Sequence, residues 1–332
     1  MPNHKRAVRV VRATFGLVSN NKALISNPEF FTSKDHIQCL LTDVHSVPEI
    51  PWPDNPDAVV RVMDVPGLTA EVRTDDSGIW AAGDFSALDA SVKDRRYSLF
   101  GNLGIFFKYS MATLERHYGI HSFHASAMYI PDRHELVIVA GPPGAGKTVL
   151  LLSGLERGWL LFSAEMTHFS LDKRGCTFYK GALVDNIRLG NFLYDFPGVA
   201  EKKLGIQLPA VRDPWGTKIS VDLAPVSPPE DEIVNPTVTI IFPKIEAGRD
   251  TPVVQDISEP HKLTLQLFNN ATEKIGATTL LYEAVAVDTV DTPDLMRRRL
   301  EDMQAFVHSA GHVRQAKTTL ASPRNCLDGF DL

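Results

Sequence analysis

Gly141, Pro142, Pro143, Gly144, Ala145, Gly146, Lys147 and Thr148 fit the pattern G-x-x-x-x-G-K-[ST] at every fixed position. Glycines in such a loop let the backbone curl until successive N–H groups point inward, and a helix starting at its end adds a positive dipole. Phosphate oxygens suit that cradle. Lys147 is then placed to reach the outer phosphates, and the Thr148 hydroxyl to complete an octahedral Mg2+ shell shared with nucleotide and water. ATP and Mg2+ are therefore the expected cofactors, with residues 141–148 and Val149 around the nucleotide and Thr148 on the metal. A glycine-rich turn with an incidental lysine is the alternative, and the flanking elements decide between the two.

Those elements agree with the loop. Leu136, Val137, Ile138, Val139 and Ala140 form an unbroken apolar run, as expected of a strand buried on both faces. After the loop, Leu150, Leu151 and Leu155 recur at helical spacing, and Gly158 supplies a stop. Trp159 to Phe162 reads as the next strand. The segment has the length of a parallel β-helix-β crossover.

Around the loop, Phe123-His124-Ala125-Ser126-Ala127 and Arg157-Gly158-Trp159-Leu160-Leu161-Phe162-Ser163 resemble the HPr kinase-like proteins, which include HPr kinase/phosphorylases and lasso peptide kinases. Their catalytic domain is similar to the nucleotide-binding core of phosphoenolpyruvate carboxykinase. The resemblance covers about residues 121 to 171, with weaker agreement at Thr237 to Phe242, after Pro260 and at Ala321-Ser322-Pro323-Arg324. It implies that His124 lies near the transferred phosphoryl group, so the implied catalytic set is Glu165, His124 and Lys147. It also implies two adjacent aspartates after the second strand, one as base and one near the metal, where this chain has Ala164-Glu165. Glu165 is left to serve as base or metal ligand, and one side chain can hardly do both in the same turnover. Asp172 is a second, weaker acid, adequately explained as part of the turn Asp172-Lys173-Arg174-Gly175. The glycine-rich stretch with which HPr kinases dock their partner has no convincing counterpart in residues 184–192, which disfavours HPr as acceptor. Asn186, Arg188 and Asn191 remain candidates to line an acceptor site, against a reading as exposed loop residues. Lys244 and Arg249 could neutralise phosphate, against a reading as solvated loop.

Composition sets the remaining bounds. The 332 residues are 44% hydrophobic and 22% charged, ordinary for a globular protein, and no apolar run approaches the roughly 20 residues of a membrane span. The basic start leads into an alternating run, Ala7 to Arg12, without the apolar centre of a signal peptide. Cys39, Cys176 and Cys326 lie far apart, which fits a reducing cytoplasm. A net charge of −6 argues against nucleic acid as a partner. Arg297-Arg298-Arg299 is the one dense basic run, read as a solvated helix face. His117, His121 and His124 have no Cys or carboxylate at known ligand spacing and do not suggest a metal site.

The expected architecture is α/β: a domain of HPr kinase/phosphoenolpyruvate carboxykinase type over residues 93–332, with a mixed sheet, preceded by a small β-rich domain over residues 1–92. Strand-like runs at Ala7 to Val18, Ile37 to Val44, Ala58 to Val65 and Leu68 to Ala82 fill the first, and helical spacing from Lys93 to Tyr118 links it to the second. A hairpin at Glu165 to Lys180, a surface loop at Pro225 to Pro236 and helices after Pro260 and Pro293 complete the pattern. The expected function is an ATP-dependent kinase acting on a hydroxyl of a small molecule or peptide. The rivals are a nucleotide-binding regulatory protein or pseudo-kinase, favoured by Ala164, and a P-loop ATPase. The sequence is compatible with a homo-oligomer and is silent on the acceptor.

Overall fold

The computed structural model describes residues 4–26, 47–173, 175–276, 278–308 and 312–332. The expected strand at residues 37–44, with Cys39, lies outside them. The fold is mixed α/β with several sheets and few helices. The chain divides into two compact units, one of Met1–His121 with Thr272–Arg297, the other of Ser122–Ala271 with Arg298–Leu332. Among the described residues no helix is long and apolar enough to cross a membrane.

The first unit holds β1 (His4–Val10), β2 (Ala13–Ser19), α1 (Lys22–Ser26), β3 (Glu49–Ile50), β4 (Ala58–Asp64), β5 (Glu71–Asp75), β6 (Gly78–Gly83), α2 (Phe85–Ser91) and α3 (Ile105–Tyr118). These six strands form one sheet in the order β3-β1-β2-β4-β6-β5. The run expected as one strand from Ala7 to Val18 is a hairpin instead, with Val10 opposite Ala13 and Val11 at φ 53°. Periodicity extends through such a tight turn and does not reveal it. The run from Leu68 to Ala82 is likewise folded into the β5–β6 hairpin.

The helical spacing from Lys93 to Tyr118 materialises as α helix only from Ile105. Before it, a 3-10 turn at Arg95–Tyr97 leads into a bend so tight that a Cβ on Gly104 would stand 2.0 Å from the Ser98 carbonyl oxygen. Gly119, at φ 60°, ends α3 by giving its N–H to the carbonyls of Leu114 and Glu115. Phe106 packs edge-on against Phe15 of β2 at 5.2 Å and beside Phe100 at 5.3 Å. This packing places α3 in the first unit, so the division falls at residue 121, away from the boundary expected at 92. Residues 272–297 join the same unit, where Tyr282 donates its N–H to the Tyr97 carbonyl and its hydroxyl accepts from the Leu99 N–H.

Later elements are β7 (Ile120–Ile130), β8 (Glu135–Ala140), α4 (Lys147–Glu156), β9 (Leu160–Ser163), β10 (Met166–Asp172), β11 (Gly175–Tyr179), β12 (Val184–Arg188), β13 (Lys218–Asp222), β14 (Glu232–Val234), β15 (Thr237–Ile245), β16 (Val253–Asp256), α5 (Pro260–Thr272), β17 (Thr279–Leu281), β18 (Val285–Val287), α6 (Pro293–His308) and β19 (Val313–Ala321). The large sheet runs β14-β11-β10-β7-β8-β15-β19-β16, with β9 also on β7. β15 is parallel to β8 and β19, whereas β7 is antiparallel to β8 and β9. β8 and β9 are therefore parallel with β7 between them. One face packs Met128, Val137 and Val139 against Leu150, Leu151 and Leu155 of α4. The other packs Phe123, Ile138 and Ile240 against Leu263 and Leu267 of α5 and Met303 and Phe306 of α6. Being covered on both faces explains the continuous apolar character of β8.

The basic run on α6 corrects the expectation of a solvated face. Arg297 and Arg298 are exposed, and Arg297 pairs with Asp294 at 2.6 Å, but Arg299 is fully buried. It stands four residues from both Leu295 and Met303, on the buried stripe of the helix. The hydrophobic anchor of the first unit is testable: Phe106→Ala is expected to lower stability by about 3–5 kcal/mol, read by urea unfolding. A loss under about 1 kcal/mol would show that the Phe15–Phe106–Phe100 cluster does not hold α3.

Candidate functional site

β8 runs fully buried into Gly141. Gly144 and Gly146 then take φ of 85° and 112°, and the Ala145 N–H closes a turn on the Pro142 carbonyl at 3.1 Å. Gly146 is required twice, by its φ and by space, because a Cβ there would stand 2.2 Å from Cγ1 of Ile245 at the end of β15. α4 starts at Lys147 with Leu150 donating to the Gly146 carbonyl.

Lys147 is buried, and its Nζ donates to the Gly141 carbonyl at 2.9 Å while lying 3.1 Å from His124 Nε2. His124 comes from β7, where Asn270 of α5 holds its backbone by donating to its carbonyl at 3.0 Å. Glu165 Oε1 is 2.7 Å from the same His124 Nε2. One ring nitrogen cannot donate to a carboxylate and accept from an ammonium at once. The shorter contact is the one a ring N–H makes to Glu165. Lysine, histidine and glutamate, far apart in sequence, thus meet at one imidazole nitrogen.

The corner bearing Glu165 is fixed from three sides. Ser126 donates its hydroxyl to the Ala164 carbonyl at 2.5 Å, the Ala164 N–H reaches the Ala182 carbonyl at 2.9 Å, and Ser163 donates to the Met166 carbonyl at 2.5 Å. The Ala164 methyl is buried in the apolar cluster beside α4. A carboxylate at position 164 would be placed among hydrocarbon, which accounts for alanine there.

A second carboxylate comes from elsewhere. Asp185 on β12 accepts from the Thr148 hydroxyl at 3.1 Å and from the Asn186 N–H at 2.7 Å. Burial, and then the negative charge of Glu165, push its carboxyl up to about 6, against the hydrogen bonds from Thr148 and Asn186 and the positive charge of Lys218. The Asp185 carboxylate and the Thr148 hydroxyl, both oxygen, fit a hard divalent cation such as Mg2+, whose remaining positions water and phosphates can fill. Among the described residues no group of three or more His, Cys, Asp or Glu has metal-site geometry. Sequence reasoning missed Asp185. Its signal was a lone acid two residues before a buried isoleucine on a short strand.

Other candidates separate. Asp172 is exposed at the β10–β11 turn, six residues from Met166, or about 20 Å of extended strand. Lys244 and Arg249 both pair with Glu246, at 3.1 and 3.0 Å. Asn186 and Asn191 are buried rather than exposed loop residues, Asn191 donating to Asp195 at 2.9 Å. Arg188 is exposed and donates to the Trp215 carbonyl. His117 lies 3.4 Å from Asp57, and buried His121 lies 3.1 Å from Glu115. The sequence also gave no hint of the buried pair formed by Ser122 Oγ and His168 Nδ1 at 2.7 Å, where burial lowers the histidine to about 3.

With this geometry the chain was compared with known proteins: no protein-family model and no curated protein matches it.

The elevated Asp185 carboxyl gives a signed prediction. A carboxyl whose pKa rises on folding binds its proton more tightly in the native state, so its stability cost is absent below about pH 4 and builds as pH rises through about 6. Asp185→Asn is therefore expected to stabilise the nucleotide-free protein by about 1–2 kcal/mol at pH 8, with the gain shrinking toward pH 5. Urea unfolding at the two pH values measures it, and a pH-independent or negative effect would refute the assignment.

Proposed function

We propose that the protein is an ATP-dependent phosphotransferase of HPr kinase-like type that moves the γ-phosphoryl group to a hydroxyl of a small molecule or peptide. The observation that carries this reading is the convergence of Lys147, His124 and Glu165 within 3.1 Å at the head of α4, next to the Thr148–Asp185 contact. Phosphoryl transfer needs positioning and charge neutralisation more than covalent chemistry, and these residues supply both.

The roles divide as follows. Backbone N–H groups of the loop, from Gly144 and Gly146 to Thr148 and not from Pro142 or Pro143, which have none, would receive the phosphates next to Val149, and Lys147 would exchange the Gly141 carbonyl for phosphate oxygens. Thr148 and Asp185 would hold Mg2+, which would supply charge neutralisation for the phosphates. Glu165 is then free to take the proton of the acceptor hydroxyl, and His124 orients Glu165 beside the transferred group. Asp185 thus removes the objection that one carboxylate must serve as both base and metal ligand. The buried thiols of Cys176 and Cys326 support a reducing, cytoplasmic setting. A second reading, a nucleotide-binding regulator without transfer, is favoured by Ala164 being packed in the apolar cluster.

Two variants test the proposal. Lys147→Ala should weaken Mg-ATP binding at least tenfold in calorimetry while the protein stays folded. Glu165→Gln should retain ATP binding and lose about two to four orders of magnitude in turnover, the size expected of a general base. Unchanged ATP affinity in the first would refute the phosphate cradle. Full turnover in the second would move the base elsewhere, and ATP binding without transfer to any acceptor would favour the regulatory reading.

A further inference from the structure

The β12–β13 pair has two faces of opposite character. Asp185 reaches Thr148, while Ile187, Ile219 and Val221 on the same face join the apolar cluster around α4. Val184, Asn186 and Arg188 occupy the alternate positions, opposite Asp222, Ser220 and Lys218 in turn.

This second face is not built for stability. Like charges directly opposite on neighbouring strands are unfavourable. Burial and then the charge of Arg188 hold the Lys218 ammonium below its ordinary range, with Asp185 and Glu165 acting the other way. The two carboxylates of the candidate site are therefore close enough for their charge to reach Lys218, yet Lys218 forms no ion pair among the described residues. Arg188 is anchored by its bond to the Trp215 carbonyl. Asn186 is nine-tenths buried, and its Oδ1 has no hydrogen-bond partner. An orphaned buried acceptor is costly, and two cations directly opposite repel. Once a divalent cation offsets Asp185 and Glu165, the charge left on this strand pair, Arg188 and Lys218 against Asp222, is positive.

We propose that this face is the acceptor seat, and that the acceptor is a hydroxyl-bearing small molecule with a carboxylate or phosphate group, bound by Lys218 and Arg188 through that group and by Asn186 Oδ1 through a donor. The inference rests on the kinase reading and names the substrate class for it. In the transfer, the acceptor O–H gives its proton to Glu165 and its oxygen bonds to the γ-phosphorus. The bond from that phosphorus to the β–γ bridging oxygen breaks, and its electron pair leaves with ADP. A guanidinium held in place beside an ammonium suits a compact anion.

The full chain, Mg2+ and γ-labelled ATP are incubated with matched acceptors: glycerol and glucose, their phosphate esters, and the hydroxy acids glycerate and gluconate, with a serine-peptide pool as a separate arm. Transfer to at least one anionic acceptor is expected with kcat/KM ten times that of its neutral counterpart or more. Phosphate esters and hydroxy acids distinguish which anion is read. Lys218→Met and Arg188→Met should each raise KM for that acceptor tenfold or more, with the nucleotide Kd from calorimetry unchanged within twofold, and Lys218→Arg should recover part of the loss. Equal transfer to neutral acceptors, transfer to peptides alone, or variants that change kcat and nucleotide affinity with no selective rise in KM would overturn the seat while leaving the kinase reading intact. ATP binding with no transfer to any acceptor would sink both, and the ATP-binding arm separates that result from a misfolded preparation.

Discussion

The ammonium of Lys147 is buried at the start of α4, and the site is arranged around compensating it. A buried charge is tolerated only when hydrogen-bonded or paired. Here the Gly141 carbonyl accepts from it at 2.9 Å, and the Glu165 carboxylate supplies negative charge from the far side of His124, whose Nε2 stands 3.1 Å from the ammonium. Each partner demands something of the fold. The Gly141 carbonyl faces Lys147 only because the loop turns back through glycines at positive φ, and His124 reaches it only because β7 lies beside β8. Glu165 reaches His124 only because the β9–β10 corner is pinned by Ser126.

A strand inserted between two parallel strands makes this possible. In a β-loop-helix-β unit with adjacent strands, the loop would face only what its own crossover supplies. With β7 between β8 and β9, a side chain from the middle of an 11-residue strand stands next to the loop, and the second strand delivers its acid from the far side. The same arrangement keeps β8 buried on both faces, under α4 on one side and α5 and α6 on the other. β12 and β13 form a separate two-stranded ribbon that brings Asp185 to Thr148.

Charge crowding is the other organising feature. Burial and then the charge of Glu165 raise the cost of ionising Asp185, and burial and then Arg188 do the same to Lys218. Natural folds rarely keep such opposed pairs without a ligand that reconciles them, which makes perturbed groups in one place a guide to function. Arg299 shows the contrasting case. It is fully buried on the α6 stripe between Leu295 and Met303, although its sequence neighbours made it look like part of a basic surface.

Much of this was legible in the chain. Glycine spacing, an apolar run before it and leucines at helical spacing after it determined loop, strand and helix, because these depend on local backbone and burial preferences. The hairpin at residues 166–179 and the strand beginning at Thr237 followed from similar short-range signals. Turns hidden inside periodic runs were not legible: Val11 and the bend before α3 interrupt segments whose apolar spacing continues unbroken. Ala164 read as a missing acid, and only packing showed that its place is apolar and that Asp185, 21 residues later, faces Thr148 instead. Sequence by itself determined which residue types could cradle phosphate, since that chemistry is written in adjacent positions. Tertiary structure alone decided which carboxylates and cations stand around the cradle, since their meeting depends on strand order and register, which no local preference encodes.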